Sequence, residues 1–208
     1  MSITTELALR HRFVPGTDPA SPPLLLLHGT GGNEDDLLPL GRAVSPGSAL
    51  LSPRGTVLEH GMPRFFRRLA EGVFDKDDLR RRTAELAGFV AEARAEYGLA
   101  APVAIGFSNG ANIAAALLML HPDVLGGAVL LRAMVPFASP PGLAIPRTPV
   151  LLLSGLADLI ARPDNAARLA AQLRAAGAAV THTSLPAAHG LSNTDVEVTS
   201  TWLKEFSR

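Results

Sequence analysis

Residues 102–116 read Pro-Val-Ala-Ile-Gly-Phe-Ser-Asn-Gly-Ala-Asn-Ile-Ala-Ala-Ala, and few segments leave a chain so little choice of fold. An apolar run of strand type at 102–107 passes straight into an Ala-rich helical stretch at 109–120. A strand that enters a helix this abruptly forces its apex residue into a strained backbone conformation, at a cost of roughly 1–3 kcal/mol. Gly106 and Gly110 flank the apex and remove the Cβ atoms that would collide. Ala111, Ala114 and Ala115 let the helix lie close to a sheet. The apex is Ser108, its hydroxyl above the free N–H groups and positive dipole end of the helix. This is the layout of a nucleophile elbow, in which a serine attacks and the helix N-terminus steadies the oxyanion. The pentapeptide alone is a weak signal, because a serine at a plain strand-to-helix turn serves only as a cap. The strand before it and the small-residue helix after it make the pattern specific.

Apolar runs and helical patterns keep alternating, which predicts a mostly parallel sheet with helices on both faces. Strands are expected at 7–14, 23–28, 49–52, 102–107, 127–131, 150–153 and 179–185. Leu24-Leu25-Leu26-Leu27 is apolar at every position, as a strand buried on both faces requires. Helices are expected at 109–120, 163–176, 195–206 and 77–97, where Leu79, Leu86, Val90, Ala93 and Tyr97 share one face. Asn33-Glu34-Asp35-Asp36 is expected to open a further helix, an Asn cap with three carboxylates in its first turn. Two connections, 53–76 and 136–149, exceed the usual length, and the first is a candidate functional loop. The five prolines of the second predict an ordered rim. No repeat or linker divides the 208 residues, so one domain spanning 1–208 is expected.

Composition removes several functions. The chain has no cysteine, which excludes disulfides, thiolate metal sites and a cysteine nucleophile. Lys+Arg and Asp+Glu each number 19 with no basic stripe, so no nucleic-acid partner is expected. No two histidines have the spacing of a zinc helix, and no metal is expected. The first residues lack the charged start and apolar run of a signal peptide. The apolar stretches are too short to cross a bilayer. The expectation is a soluble, cytoplasmic protein with no membrane span.

A serine nucleophile needs a base and an acid, each just past the carboxyl end of a different strand, where ligands bind in such sheets. Asp158 follows the apolar run Pro149-Val150-Leu151-Leu152-Leu153-Ser154-Gly155 and fits the acid. Its rival Asp164 sits beside Pro163 at a helix start, where carboxylates serve the dipole. Asp195 lies in another first turn. His189 follows the last strand and fits the base. His11 and His60 read as surface residues, His121 ends a helix and His182 lies within a strand. His28-Gly29-Thr30-Gly31-Gly32 follows the first buried parallel strand. The backbone N–H of Thr30 (Gly29 is the second choice) and that of Asn109 are the expected oxyanion hole. A phosphate cradle is disfavoured, since neither Gly-Lys-Ser/Thr nor a dinucleotide fingerprint follows. His28 is expected to orient this loop and not to titrate in catalysis.

These residues resemble the α/β-hydrolase superfamily, and within it the small phospholipase/carboxylesterase branch. The resemblance spans nearly the whole chain. It rests on Leu27-His28-Gly29-Thr30-Gly31-Gly32-Asn33-Glu34, Ser52-Pro53-Arg54-Gly55, Gly106-Phe107-Ser108-Asn109-Gly110, Gly155-Leu156-Ala157-Asp158 and His189-Gly190-Leu191. Gly61-Met62-Pro63-Arg64-Phe65-Phe66 and Phe74-Asp75 resemble the bacterial carboxylesterases of the branch. The acyl-protein thioesterases usually carry Gln in place of Asn109 and Gly in place of Ala111, which argues against a protein-depalmitoylating role. The resemblance implies the α/β-hydrolase fold, Ser108, Asp158 and His189 as catalytic triad, no cofactor and often a homodimer. A mean hydropathy of +0.22 accords with the last.

The core fold uses nearly the whole length, so no large lid domain is expected, and a lipase activated at an oil interface is disfavoured. The expected substrate is a small-molecule carboxylic ester, cleaved through an acyl-enzyme. Thioesterase or lyase chemistry on the same residues stays open, as does a low-turnover receptor. In the 53–76 loop, Met62, Phe65, Phe66 and Phe74 are expected to wall an acyl pocket. The alternative is that the phenylalanines anchor the loop to the core. One of Arg64, Arg67 and Arg68 is a candidate to read a negative group on the substrate.

Overall fold

A strand that is apolar at every position has two faces to cover, and this fold covers both. The structure, a computed structural model, describes residues 7–139 and 144–206. Along the chain run β1 (His11–Val14), β2 (Leu24–Leu27), α1 (Leu38–Val44), β3 (Leu50–Pro53), β4 (Val57–Glu59), β5 (Met62–Arg64), β6 (Arg68–Ala70), β7 (Val73–Phe74) and α2 (Lys76–Tyr97). There follow β8 (Val103–Phe107), α3 (Asn109–Leu120), β9 (Gly127–Leu131), β10 (Pro149–Gly155), α4 (Pro163–Ala175), β11 (Ala179–Leu185) and α5 (Asn193–Phe206). Part of the proline-rich rim, 140–143, lies outside the described residues, as do the first six residues on which the signal-peptide reading rests.

The central sheet has the order β1-β3-β2-β8-β9-β10-β11. β1 pairs antiparallel with β3, and every other pairing in it is parallel. Successive strand residues point to opposite faces. Leu25, Leu27, Ala104, Leu130 and Leu152 accordingly join one core with the apolar sides of α2, α3 and α4. Leu24, Leu26, Ile105, Val129 and Leu151 join a second core with α1 and α5. On α2, Leu79, Leu86, Val90 and Ala93 are buried as the periodicity requires, with Tyr97 partly buried. Asp75 caps the start of α2 by accepting the N–H of Asp78, and Gly98 ends it in the left-handed region at φ 64°.

Two expectations change. Residues 33–37 form turns, and α1 begins only at Leu38. Asn33 uses its side chain on the N–H of Asp35 at 2.7 Å, and two of the three carboxylates, Glu34 and Asp35, pair with arginines from elsewhere. The 53–76 segment is not an irregular loop. It folds as two hairpins, β4–β5 and β6–β7. His60 and Gly61, both at positive φ (51° and 81°), make the tight first turn, the geometry that matches strand twist. His11 is also less exposed than expected: it sits half-buried in β1 with Nε2 2.8 Å from the Tyr97 hydroxyl.

No helix among the described residues is long and apolar enough to cross a membrane. Among the described glycines, Gly110 makes the closest approach to its neighbours. A Cβ on Gly110 would lie 2.0 Å from the carbonyl oxygen of Leu27, so α3 rests directly on the end of β2. Gly110→Ala should therefore cost at least about 3 kcal/mol, the upper end for overpacking. Gly88, inside α2, would meet nothing within 4 Å, and Gly88→Ala should stabilise by up to about 1 kcal/mol. Urea midpoints at constant m-value check both signs.

Candidate active site

Ser108 follows β8 without a connecting residue, at φ 52° and ψ −113°. This is a positive-φ conformation that L residues avoid. Two bonds hold it there: its N–H donates to the carbonyl of Leu131 at 2.9 Å, and its own carbonyl accepts the N–H of Asn112 at 3.0 Å. Its side chain makes no capping bond to α3, so the plain-cap alternative fails. The hydroxyl instead meets His189 Nε2 at 3.0 Å. The other ring nitrogen, Nδ1, lies 2.8 Å from Asp158 Oδ2. A carboxylate only accepts, so Nδ1 carries the proton and Nε2 is free to accept from Ser108.

Asp158 is buried, and its second oxygen is already engaged. Oδ1 accepts the N–H groups of Ile160 and Ala161 at 2.8 and 2.9 Å, which fixes the carboxylate plane and leaves Oδ2 to the imidazole. The Phe107 ring backs the imidazole at 5.4 Å between centroids. Asp164 stands in the exposed first turn of α4, paired with Arg162 at 3.2 Å, away from this arrangement.

The loop after β2 faces the same place. Gly31 N–H goes to the carbonyl of Pro63 and Gly32 N–H to that of Gly29. Among the described residues no protein acceptor meets the N–H of Thr30 or that of Asn109. His28 is the loop's internal brace. Nδ1–H donates to its neighbour's carbonyl, Gly29, at 2.7 Å, and Nε2 accepts the Gly55 N–H at 3.0 Å. The second bond needs the neutral ring, and burial pushes its pKa down accordingly.

The β4–β5 hairpin is pinned between the two loops. Pro63 holds Gly31, and the Phe65 N–H donates to Asn109 Oδ1 at 2.8 Å. Of the four side chains expected to wall an acyl pocket, Phe66 is 0% exposed in the core, edge-on to Phe74 at 5.1 Å. Phe65 is buried against His28, with 4.7 Å between ring centroids. These contacts are those of loop anchors. Met62, 41% exposed, stands beside Gly31, where an added Cβ would lie 3.7 Å from its sulfur. The three arginines are occupied. Arg64 and Arg68 both pair with Glu59 at 2.9 and 2.8 Å, and Arg67 pairs with Asp75. Among the described residues no group of His, Asp or Glu is assembled as a metal ion would need.

The sequence reading missed Glu34. This buried carboxylate takes Arg10 at 2.7 Å and Arg54 on its other oxygen, and so ties the glycine loop to residues flanking β1 and β3. Burial pushes its carboxyl up. Bonds from its own N–H and from Arg54 and Arg10 pull it further down, to about 2. As pH falls the unfolded chain, near 4.5, takes up the proton first. The stabilisation is therefore complete above about 4.5 and is lost on descending to about 2. Glu34→Gln should lose on the order of 2–3 kcal/mol at neutral pH and show a flatter acid limb in urea unfolding between roughly pH 2 and 5. An unchanged acid slope would contradict this.

The chain is similar to known proteins over almost its whole length. The chain is 44% identical over 202 residues to MhqD of Bacillus subtilis (strain 168), a hydrolase by name, and the match covers 95% of this chain and 98% of that protein. It is 45% identical to a Bacillus cereus carboxylesterase, with a TM-score of 0.93, covering 96% of this chain and 95% of that one. A carboxylesterase from Mesorhizobium loti is 30% identical with a TM-score of 0.91, covering 98% of both chains. No family model matches. The shared sheet and helices, with no large lid among the described residues, and the identity over almost the full length lead to one conclusion: the chain is an esterase-type hydrolase and belongs to the carboxylesterase family of α/β-hydrolases.

Proposed function

We propose that the chain hydrolyses small, uncharged carboxylic esters through an acyl-enzyme formed on Ser108. The observation that carries this reading is the hydrogen-bonded run from the Ser108 hydroxyl through His189 to Asp158, at 3.0 and 2.8 Å. His189 Nε2 takes the hydroxyl proton as Oγ attacks the ester carbonyl. The oxyanion so formed takes the N–H groups of Thr30 and Asn109, donors that are fixed before substrate arrives. Asp158 holds the ring in the productive tautomer and stabilises the imidazolium. His189 then gives its proton to the departing alkoxide, leaving the acyl group on Ser108. A water, deprotonated by the same nitrogen, releases the acid and restores the hydroxyl.

The choice of an uncharged ester rests on the surroundings. The arginines of the two hairpins are neutralised by their own carboxylates. Leu156, Leu159 and Ile160, around Asp158, and Leu191, just past His189, are exposed, and Met62 borders Gly31. Apolar side chains near the reacting groups suit an apolar acyl or alcohol portion.

Ser108→Ala tests the reading. Turnover of a short p-nitrophenyl ester should fall on the order of a millionfold, as for other serine hydrolases that lose the nucleophile. Undiminished turnover would overturn it. The acyl-pocket assignment is checked separately. Met62→Ala should shift the preference between acetyl and octanoyl esters at unchanged stability. Phe66→Ala, which empties a core site, should cost about 3–5 kcal/mol in unfolding free energy.

A further inference from the structure

His189 follows β11 and Ser108 follows β8, with β9 and β10 between them. At about 4.8 Å per strand, the segment bearing His189 has to lean roughly 14 Å across the carboxyl edge of the sheet. Ala187, Ala188 and Gly190 give that segment no side chain with which to hold such a position. The Ala157 N–H donates to the Ala187 carbonyl at 3.0 Å and Asp158 accepts from the imidazole; the carbonyls of Ala188 and Gly190 are held by Arg132, the first residue past β9.

Its guanidinium divides its donors around the imidazole. Nε–H goes to the carbonyl of Ala188 at 3.0 Å and Nη2–H to the carbonyl of Gly190 at 3.1 Å. The carbonyls of the two residues that flank His189 in the chain thus share one rigid plane of donors. The outer edge of that plane meets Asp195 in a two-pronged pair, Nη1 to Oδ1 at 2.8 Å and Nη2 to Oδ2 at 2.9 Å. Both side chains are 0% exposed. Asp195 lies in the first turn of α5 and also accepts the N–H and hydroxyl of Ser192, both at 2.8 Å. The segment is therefore closed at both ends. The base of the clamp is equally fixed. Arg132 N–H donates to Leu153 at 2.9 Å, and the preceding residue, Leu131, accepts the Ser108 N–H. The guanidinium is thus referenced through one residue to the backbone of the nucleophile.

We propose that Arg132, held by Asp195, is the positioning residue that sets the reach of His189 toward Ser108. This rests on the esterase reading above. A fully buried guanidinium must place all its donors, and here two of them are placed on the carbonyls of the residues that flank His189. Lysine cannot replace it, because an ammonium has three donors and no plane, and cannot make the four bonds to Ala188, Gly190 and both Asp195 oxygens together.

The test compares wild type, Ser108→Ala, Arg132→Lys and the paired, charge-free variant Arg132→Met/Asp195→Leu. The readouts are kcat and KM for a short p-nitrophenyl ester, the rate of covalent labelling by a fluorophosphonate, and far-UV circular dichroism. Arg132→Lys should lower kcat by about 10- to 100-fold, the scale of a misplacement near 1 Å. KM should stay within about threefold. Labelling should slow by a similar factor while the spectrum is unchanged. The paired variant, which leaves no lone buried charge, should show the same pattern. A folded variant of either kind with wild-type kcat and labelling overturns the proposal, and so does a loss confined to KM. Loss of fold in both variants overturns it too, since the pair would then act on the whole fold and not on the segment. An inactive wild type, or full turnover by Ser108→Ala, is a different outcome and removes the esterase reading itself.

Discussion

The site depends on one backbone conformation, that of Ser108 at φ 52°. A non-glycine residue held there costs roughly 1–3 kcal/mol and persists only if its surroundings over-determine it. They do so from three sides. The Leu131 carbonyl takes its N–H, α3 takes its carbonyl, and Gly110 lets α3 sit against the end of β2 with no side chain between. The strain is offset by burial of α3, whose residues are covered almost end to end. Since the helix cannot move away from β2 without uncovering that surface, the hydroxyl stays raised above the sheet, within reach of a base on another strand.

The rest of the site is held at that point by charged side chains as well as by the phenylalanines that anchor the hairpins. Glu34 with Arg10 and Arg54 ties down the loop carrying Thr30. Asp78 receives the Arg67 N–H and the Arg81 side chain, fastening the second hairpin to α2. Arg132 with Asp195 holds the His189 segment. Only the last pair is buried on both sides; there desolvation offsets most of the attraction, yet removing one partner costs about 3–5 kcal/mol. That asymmetry suits a loop. A directional bond fixes a position to within a few tenths of an ångström, which apolar contact cannot do for segments as small as Gly29-Thr30-Gly31 or Ala188-His189-Gly190.

This division explains what could be read from the chain beforehand. Strands and helices follow from local pattern: Leu24–Leu27 has no polar position, and α2 repeats its apolar residues at helical spacing. Ser108, Asp158 and His189 were legible because each follows a strand, and a parallel sheet brings strand ends to one edge. The ion pairs are not local. Arg132 and Asp195 are 63 residues apart, and nothing in either neighbourhood marks the other. Glu34 looked like a helix-start carboxylate because Asn33 and two aspartates surround it; only the arrival of Arg10 and Arg54 turns it inward. The first hairpin escaped notice because its turn is His60-Gly61. A histidine occupies the left-handed position usually announced by asparagine or aspartate. The aromatic residues of 53–76 were ambiguous for a simpler reason: a phenylalanine that anchors a loop and one that lines a pocket look the same until burial is known.

Burial also separates two kinds of residue within the segment after β10. Asp158 and Ala161 are covered, while Leu156, Leu159 and Ile160 face solvent, Leu159 with 88% of its surface exposed. A connection shaped for stability alone would put its apolar residues inward, since each such side chain gains about 1.5–3 kcal/mol on full burial. Here the inward positions are taken by the carboxylate that holds His189 and by the backbone that holds the carboxylate. The leucines are turned out by that geometry. The constraint that orients the Asp158 carboxylate therefore also leaves apolar side chains exposed beside it.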